Sequence, residues 1–285
     1  MSARPRHKGV RMSATRARLL AFAGVSIAVG FAASTSQAQG PSAPSTARDY
    51  CIKVAPGKGA EYTAFLRDVT VPLAQARADA GEFAWFAVSR GVVPAGSSAS
   101  CDYRVAYGYK GLPPEDMSTE ALDAALKRAK LTLTADQLIA KRTSLTSLVS
   151  AEIWYQLDSI GPPAEKGSYL RLNHYKVQNG EMDEWLRMER TYWKALMDAW
   201  LKAGGKGTWS AHGLWMPQGE STPYNRMTVD IFPDWNGLMQ GVPVTELWPK
   251  VHPDTTPTDT FNRYDRVRSI HDVEVYKIVE LVRGK

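Results

Sequence analysis

One stretch of the chain, residues 168–217, carries the most restrictive pattern in the sequence: a strand, a turn, a long amphipathic helix, a glycine turn and a second strand. The predicted helix, residues 180–203, has apolar side chains at helical spacing, so one of its faces is expected to be buried. Gly204 and Gly205 then favour the end of this helix. A fainter copy of the same order lies in residues 46–94, which indicates that one folding unit occurs twice.

The remaining elements extend both copies to the same length. The first copy is predicted to hold strands and helices at residues 50–54, 59–80, 83–93, 101–109, 119–130, 135–148 and 152–157. Pro72 is expected to kink the first helix. Ser118 is expected to cap the helix at 119–130, and Thr134 with Gln137 to form a capping box for the helix at 135–148. The second copy is predicted to hold strands at 169–177, 207–216, 224–232 and 273–281 and a helical turn at 234–239. Residues 242–261 are expected to be irregular and Pro-rich, with a further helical turn around Trp248 as the alternative.

Both copies therefore have the order β-α-β-β-α-β, which is typical of a ferredoxin-like unit. A four-stranded sheet with helices on one face leaves its other face exposed, and a second sheet can cover that face. We predict an α+β fold of two tandem ferredoxin-like units packed sheet to sheet as an intramolecular α/β barrel. The units are expected at residues 48–160 and 168–285, with a linker at 161–167.

This pattern resembles the dimeric α/β-barrel superfamily, which includes the antibiotic-biosynthesis monooxygenase-like, NIPSNAP-like and stress-responsive barrel proteins. The resemblance depends on the element order, on the Lys-Val-x-x-Gly turn at residues 176–180, and on the glycine stop before the second strand. It implies a ligand in the barrel and cofactor-independent oxygenase-like or isomerase-like chemistry. No catalytic motif of one particular family is matched, so no catalytic residue is transferred.

The N-terminus has the composition of an export signal. Six basic residues precede an apolar run at residues 19–33, and Ser36-Gln37-Ala38 offers the small residues that a signal peptidase recognises. We predict a signal peptide at residues 1–38, cleavage after Ala38, a flexible leader at 39–47, and a periplasmic or secreted protein. A retained membrane anchor is the alternative, although the apolar run is short for a membrane span.

The charge balance argues against nucleic acid and anionic membranes as partners. The chain has 35 basic and 29 acidic residues, but all six basic residues of the predicted signal are lost on cleavage, which leaves 29 of each. The excess positive charge thus belongs to the signal, and a small-molecule ligand is the expected partner. The oligomeric state is left open.

Cys51 and Cys101 are the two cysteines, and both lie beyond the predicted cleavage site. Because the first and third strands of a ferredoxin-like sheet are antiparallel neighbours, we predict a Cys51–Cys101 disulfide. Two buried thiols are the alternative. No Cys-x-x-Cys or His-x-x-x-His spacing is present, and no metal site is predicted.

Two histidines lie on predicted strands of the second copy without a counterpart in the first. His174 lies on the first strand of that copy and His212 on its second strand. Inside a barrel, an imidazole can act as a catalytic base or bind haem iron. A hydrogen-bonded structural histidine is the alternative, and the predicted cofactor state is none, with haem as an alternative.

Arg171, Asn173 and Tyr175 alternate with Leu170 and Leu172 on the same strand. Since successive side chains point to opposite faces, the leucines are expected toward the helices and the polar set toward the barrel interior. That set predicts a cavity for a small molecule. A polar network between the sheets is the alternative.

Glu152 and Glu274 occupy matched positions on the fourth strands. If both point inward they are expected to meet near the pseudo-twofold axis, paired with Arg104 or Arg226. An unpaired buried carboxylate there would act as a general acid or base, whereas a paired one would be a structural salt bridge.

The residues together predict an exported protein that binds a small aromatic or apolar molecule. In this hypothesis His174 or His212 transfers a proton, Arg171 orients an anion and Trp209 forms a wall of the pocket. A non-catalytic envelope or stress protein and a haem-binding protein are the alternatives. The sequence leaves open whether the protein is an enzyme.

Overall fold

A computed structural model describes residues 45–96, 99–219 and 221–284. The strands are β1 (Ser45–Val54), β2 (Trp85–Val93), β3 (Tyr103–Lys110), β4 (Thr146–Ile160), β5 (Tyr169–Val177), β6 (Thr208–Met216), β7 (Arg226–Phe232) and β8 (Arg268–Arg283). The helices are α1 (Gly59–Phe65), α2 (Val71–Asp79), α3 (Thr119–Arg128), α4 (Ala135–Leu145), α5 (Met182–Met188), α6 (Ala195–Lys202), α7 (Trp235–Gln240), α8 (Val244–Val251) and α9 (Pro257–Val267). Two π-helical segments, Leu66–Thr70 and Glu189–Lys194, join α1 to α2 and α5 to α6.

The eight strands form one antiparallel sheet that closes on itself in the order β1-β3-β2-β8-β5-β7-β6-β4. Within each half of the chain the fourth, first, third and second strands are neighbours in that order. The halves join where β2 pairs with β8 and where β4 pairs with β6. The α+β class is confirmed, and the strands of the two halves, expected to pack face to face, are also hydrogen-bonded edge to edge. This pairing uses strand edges that would otherwise be exposed.

Three apolar clusters surround this sheet. One lies between the sheet and the helices of the first half, around Tyr62, Phe86 and Leu145. A second lies between the sheet and the helices of the second half, around Trp185, Leu196 and Trp209. We call this second layer the second-half interlayer. The third cluster consists of strand residues that face one another inside the barrel.

The local signals near helix ends are mostly confirmed. Ser118 accepts a hydrogen bond from the backbone N–H of Ala121, and Thr134 forms the predicted capping box with Gln137. Pro72 does not interrupt a regular helix as expected. It lies in the first turn of α2, where a missing N–H is tolerated, and the irregularity is the π-helical segment just before it.

Several boundaries differ from the sequence-based expectation. Residues 242–261, expected to be irregular, contain α8 and the first part of α9, since Thr256 caps α9 and Pro257 fits its first turn. Strands β4 and β8 are longer than predicted because each pairs with neighbours on both sides. β1 begins at Ser45, so the last part of the predicted leader is strand. The predicted signal peptide lies outside the described residues. Within the described ranges, no helix is long and apolar enough to cross a membrane.

Candidate functional site

The side chains of β5 point the opposite way from the prediction. Leu172 packs inside the barrel, whereas Tyr175 packs with Trp185 beneath the helices. Arg171 and Asn173 alternate with Leu172 and share the helix-facing side with Tyr175. Both faces of this sheet are covered, so alternation alone could not tell the barrel interior from the helix side.

The barrel interior is filled by side chains. Trp154, Tyr276, Leu172 and Leu214 are all buried there beside the disulfide. Cys51 and Cys101 are bonded, with their Cα atoms 5.2 Å apart, as the strand order predicted. The polar cavity expected in the barrel is therefore replaced by a packed centre.

Arg104 lies at that centre and joins carboxylates from both halves. Its guanidinium binds Asp49 at 2.6 Å and reaches Glu152 at 3.3 Å and Glu274 at 3.4 Å. All four side chains are at most 11% exposed. Burial lowers the pKa of Arg104, but the attraction of the nearby carboxylates, Asp49 first among them, outweighs this effect. The pKa is raised above its usual value, and the guanidinium stays charged. The expected meeting of Glu152 and Glu274 is confirmed.

Arg226 does not join them. It pairs across the sheet with Tyr175, while Met227 pairs with His174 and occupies the inward position. In the first half Arg104 pairs with Cys51 and points inward. A shift of one residue along a strand moves a side chain to the other face, so the predicted equivalence of the two arginines was wrong. The Arg226 guanidinium lies 5.9 Å from the Trp185 ring centre, on the helix side.

The two predicted histidines both face the barrel interior but make separate contacts. His174 is 1% exposed, its Nδ1 lies 2.5 Å from Asp272 Oδ1, and its ring stacks on Tyr224 at 4.4 Å. His212 Nε2 lies 2.8 Å from the Ser210 hydroxyl. Burial lowers the pKa of His212 to about 4, so this imidazole is neutral at physiological pH.

On the helix side of β5 and β7, the predicted polar residues form one network. Arg171 and Asn173 both donate to Asp230 Oδ2, at 2.9 Å and 3.0 Å. Asn173 also donates to the Thr228 hydroxyl, which lies 3.2 Å from Tyr175 Oη. These residues converge as predicted, but in the second-half interlayer and not in the barrel. Trp209 is also on this side, packed in the same interlayer cluster.

Glu189 is a buried carboxyl group in this interlayer that the sequence reasoning missed. It begins the second π-helical segment and is 1% exposed. Neither of its carboxyl oxygens has a hydrogen-bond partner within the described part of the chain. Burial raises the pKa of Glu189 to about 8, and Asp230 adds to this while Arg268 opposes it. Glu189 is therefore mainly protonated at neutral pH.

Three further polar atoms in the second-half interlayer also lack partners among the described residues. They are Arg268 Nε, Tyr264 Oη and Trp185 Nε1. The Arg268 guanidinium lies between aromatic rings, 3.8 Å from the Tyr175 ring centre and 4.6 Å from that of Tyr264. Most buried polar groups in proteins are hydrogen-bonded, so four side chains with free groups in one layer mark a place where a ligand or water is expected.

The first half has no such group at the matching places. Leu66 begins the first π-helical segment where Glu189 begins the second. Thr146 begins β4 where Arg268 begins β8. At these two places the interlayer of the first half has no charged side chain, whereas that of the second half has an acidic and a basic one. The acidic one, Glu189, begins a π-helical segment, and such segments are frequent at functional sites.

A sequence signal for Glu189 was present. It follows Trp185 by four positions and precedes Tyr192 by three, so it lies on the buried face of the predicted helix. A carboxylate on an apolar face is unusual unless it is paired or functional. Arg268 gave no comparable signal, because β8 was expected to begin later in the chain.

No protein-family model matches this chain. No curated protein sequence matches it either.

Solved structures with the same fold do match. A proposed monooxygenase from Fusobacterium nucleatum has a TM-score of 0.51 and 7% identity, covering 85% of this chain and 95% of that chain. A proposed monooxygenase from Lactobacillus acidophilus has a TM-score of 0.47 and 11% identity, covering 85% and 97%. A haem-binding protein from Thermus thermophilus has a TM-score of 0.46 and 12% identity, covering 84% and 92%. At 7% identity the likeness to the Fusobacterium nucleatum structure shows the fold alone, and it agrees with the ferredoxin-like α+β class.

Proposed function

We propose that this protein binds a small molecule in the second-half interlayer, between β5, β7 and the helices that cover them. The observation that supports this is the set of buried, unpartnered polar groups on Glu189, Arg268, Tyr264 and Trp185. A fold gains nothing from leaving such groups unpaired, since each costs about 1–3 kcal/mol. A ligand that satisfies them would offset that cost.

The chemistry of these groups defines the class of ligand. Arg268 Nε and Trp185 Nε1 carry hydrogens, Tyr264 has a hydroxyl, and Glu189 with a pKa of about 8 is itself a donor at neutral pH. Aromatic rings surround them, including those of Tyr175 and Tyr264. A planar aromatic molecule with carbonyl or carboxylate oxygens matches this arrangement, because its ring can stack and its oxygens can accept.

The same groups are suited to proton transfer. A carboxyl group whose pKa lies near the working pH exchanges its proton readily, and a neighbouring guanidinium stabilises an oxyanion. We therefore extend the proposal to cofactor-independent oxygenase-like or isomerase-like chemistry, with Glu189 as acid or base and Arg268 as the cation. His174 and His212 lie in the barrel, outside this arrangement. The proposal therefore does not give them the proton-transfer role that was first expected of them.

Binding is tested with a matched pair of ligands. Tryptophan fluorescence of the full chain is titrated with benzoate and, separately, with benzylamine, which has the same ring and the opposite charge. We expect saturable binding of benzoate or of a larger aromatic carbonyl compound such as menadione, and none of benzylamine. Glu189→Gln and Arg268→Met are expected to weaken binding, whereas Tyr62→Phe, in the first-half interlayer, leaves it unchanged. Equal response to both ligands, or no response to any aromatic acceptor, contradicts the proposal.

Haem is the alternative ligand. The two histidines first considered as ligands of its iron are poorly placed for that role. His174 holds Asp272 with one nitrogen and stacks on Tyr224, and His212 contacts Ser210. Neither ring faces the helix layer. A haem titration decides this: a Soret band that is lost in His174→Ala or His212→Ala would favour haem over the aromatic ligand. If neither ligand class binds, the non-catalytic envelope or stress protein remains as the proposal.

We also propose that the chain is exported, with residues 1–38 removed, and that its halves arose by tandem duplication. The Cys51–Cys101 disulfide supports export, because such bonds persist in oxidising compartments. The repeated strand order supports duplication. N-terminal sequencing of the protein from a periplasmic fraction tests export, and a mature chain that begins before Gln39 would contradict the predicted cleavage.

A further inference from the structure

Four carboxylates lie in the barrel interior, on β1, β4 and β8. Asp49, Glu152 and Glu274 contact Arg104, and Asp272 contacts His174. One guanidinium therefore contacts three carboxylates. Arg104 is drawn most closely to Asp49, at 2.6 Å, and reaches Glu274 only at 3.4 Å. Buried charge that is not paired is costly, so a further cation or bound protons must compensate it.

Three side chains in the barrel interior could share one ion. His174, Asp272 and Glu274 each offer a ligand atom, and these atoms lie within 4.8 Å of one another. The sheet brings them together. His174 on β5 pairs with Asp272 on β8, and two residues along the strands Leu172 pairs with Glu274. Because side chains on paired strands project to the same face, the cluster is held by rigid backbone and not by loops.

His174 gives an independent indication of a missing partner. It is 1% exposed, and its Nε2 has no hydrogen-bond partner within the described residues. Its other nitrogen is held 2.5 Å from Asp272. An ion bound between that nitrogen and Asp272 would take the place of the proton that they share, because metal ligands must be deprotonated.

The cluster is open to solvent on one side. The Asp272 side chain is 35% exposed, and His271 Nε2 lies 3.6 Å from Asp272 Oδ2, with 43% of its own side chain exposed. An ion can thus enter past Asp272, and His271 is available as a further ligand. On the other side Trp154 and Tyr276 exclude water.

We propose that His174, Asp272 and Glu274 form a binding site for a divalent transition-metal ion. Imidazole with carboxylate oxygens suits Zn²⁺ and its first-row neighbours, whereas Mg²⁺ and Ca²⁺ prefer oxygen ligands alone. Both cysteines are in the disulfide and do not contribute. The sequence predicted no metal site, since the ligands are separated by about a hundred residues and follow no local motif. This site is independent of the proposed interlayer function.

Zinc binding is measured on the untagged full chain by isothermal titration calorimetry after dialysis against EDTA. Cobalt(II) is added in a separate experiment, because its visible absorption reports nitrogen and oxygen ligation. We expect one Zn²⁺ per chain and no comparable binding of Mg²⁺. Asp272→Asn and Glu274→Gln are expected to weaken Zn²⁺ binding by roughly tenfold or more. Glu280→Gln removes a carboxylate from the same strand outside the cluster and is expected to leave it unchanged.

The proposal is overturned if Zn²⁺ does not bind saturably, or if Asp272→Asn binds it as tightly as the unmodified protein. Circular dichroism spectra and thermal unfolding of each variant show whether it is folded. If Glu274→Gln does not fold, Asp272→Asn decides alone, since Asp272 is partly exposed and its substitution keeps the side-chain shape.

Discussion

Glu152 and Glu274, from the fourth strands of the two halves, share one buried guanidinium at the centre of the barrel. Each carboxylate also accepts a hydrogen bond from the aromatic side chain two residues further along its own strand: Trp154 Nε1 at 2.9 Å and Tyr276 Oη at 2.9 Å. The two halves thus present the same local arrangement to a single arginine, Arg104. That arginine comes from the first half only, which makes it a link between the halves.

Replacement of this arginine is expected to destabilise the fold strongly. Arg104→Met leaves buried carboxylates without their cation, and breaking a buried ion pair from one side costs about 3–5 kcal/mol. Urea unfolding measures the loss. Arg226→Met is the matched control: its guanidinium donates one hydrogen bond, to the backbone oxygen of Asn225, and its Nε has no partner in the described chain. A similar loss in both variants would show that Arg104 does not link the halves as described.

Glu189 is expected to make stability depend on pH. Its pKa rises from 4.5 in the unfolded chain to about 8 in the fold, so the folded state keeps a proton that the unfolded state loses. Stability is therefore full below about pH 4.5 and falls as the pH rises toward 8. Compared with Glu189→Gln, the protein should lose about 3–5 kcal/mol over this range. Urea unfolding of both at several pH values tests this, and parallel curves from pH 5 to 8 contradict it.

The Tyr264 hydroxyl is expected to contribute to ligand binding and not to the stability of the fold. Its buried hydroxyl has no partner among the described residues, so Tyr264→Phe removes an unsatisfied group and should raise the free energy of unfolding by about 1 kcal/mol. Tyr276→Phe is the control. Its hydroxyl donates to Glu274 at 2.9 Å, and its loss should cost about 1.5–3 kcal/mol. Thermal and urea unfolding measure both, and a loss of stability in Tyr264→Phe would show that the hydroxyl is paired in solution.

The disulfide is expected to contribute substantially to stability. It closes a loop with a sequence separation of 50, for which chain entropy predicts about 4 kcal/mol. Urea unfolding with and without reductant measures this, and the Cys51→Ser/Cys101→Ser double variant removes the bond without added reagent. Intact mass must first show the loss of two hydrogens. No change of the unfolding midpoint on reduction would contradict the expectation.

The strand order, the disulfide and the meeting of Glu152 with Glu274 were predictable because they depend on the order of elements along the chain. The face of each strand was not. Tyr175 and Arg226 were expected inside the barrel and lie under the helices, since one residue of register reverses every side chain. Helix α9 was missed and α8 was foreseen only as a helical turn around Trp248, because Pro249 and Pro257 lie within a segment whose sequence is typical of irregular structure.

The sequence by itself determined the order of most strands and helices along the chain, because apolar spacing and glycine turns act over a few residues and need no distant partner. Only the tertiary structure decided that the two sheets join at their edges, that Glu189 meets Arg268 in one interlayer, and that His174 meets Asp272 inside the barrel. Those contacts join residues far apart in the chain, and they depend on the register between strands. Register is set by the packing of whole faces, which no local pattern records.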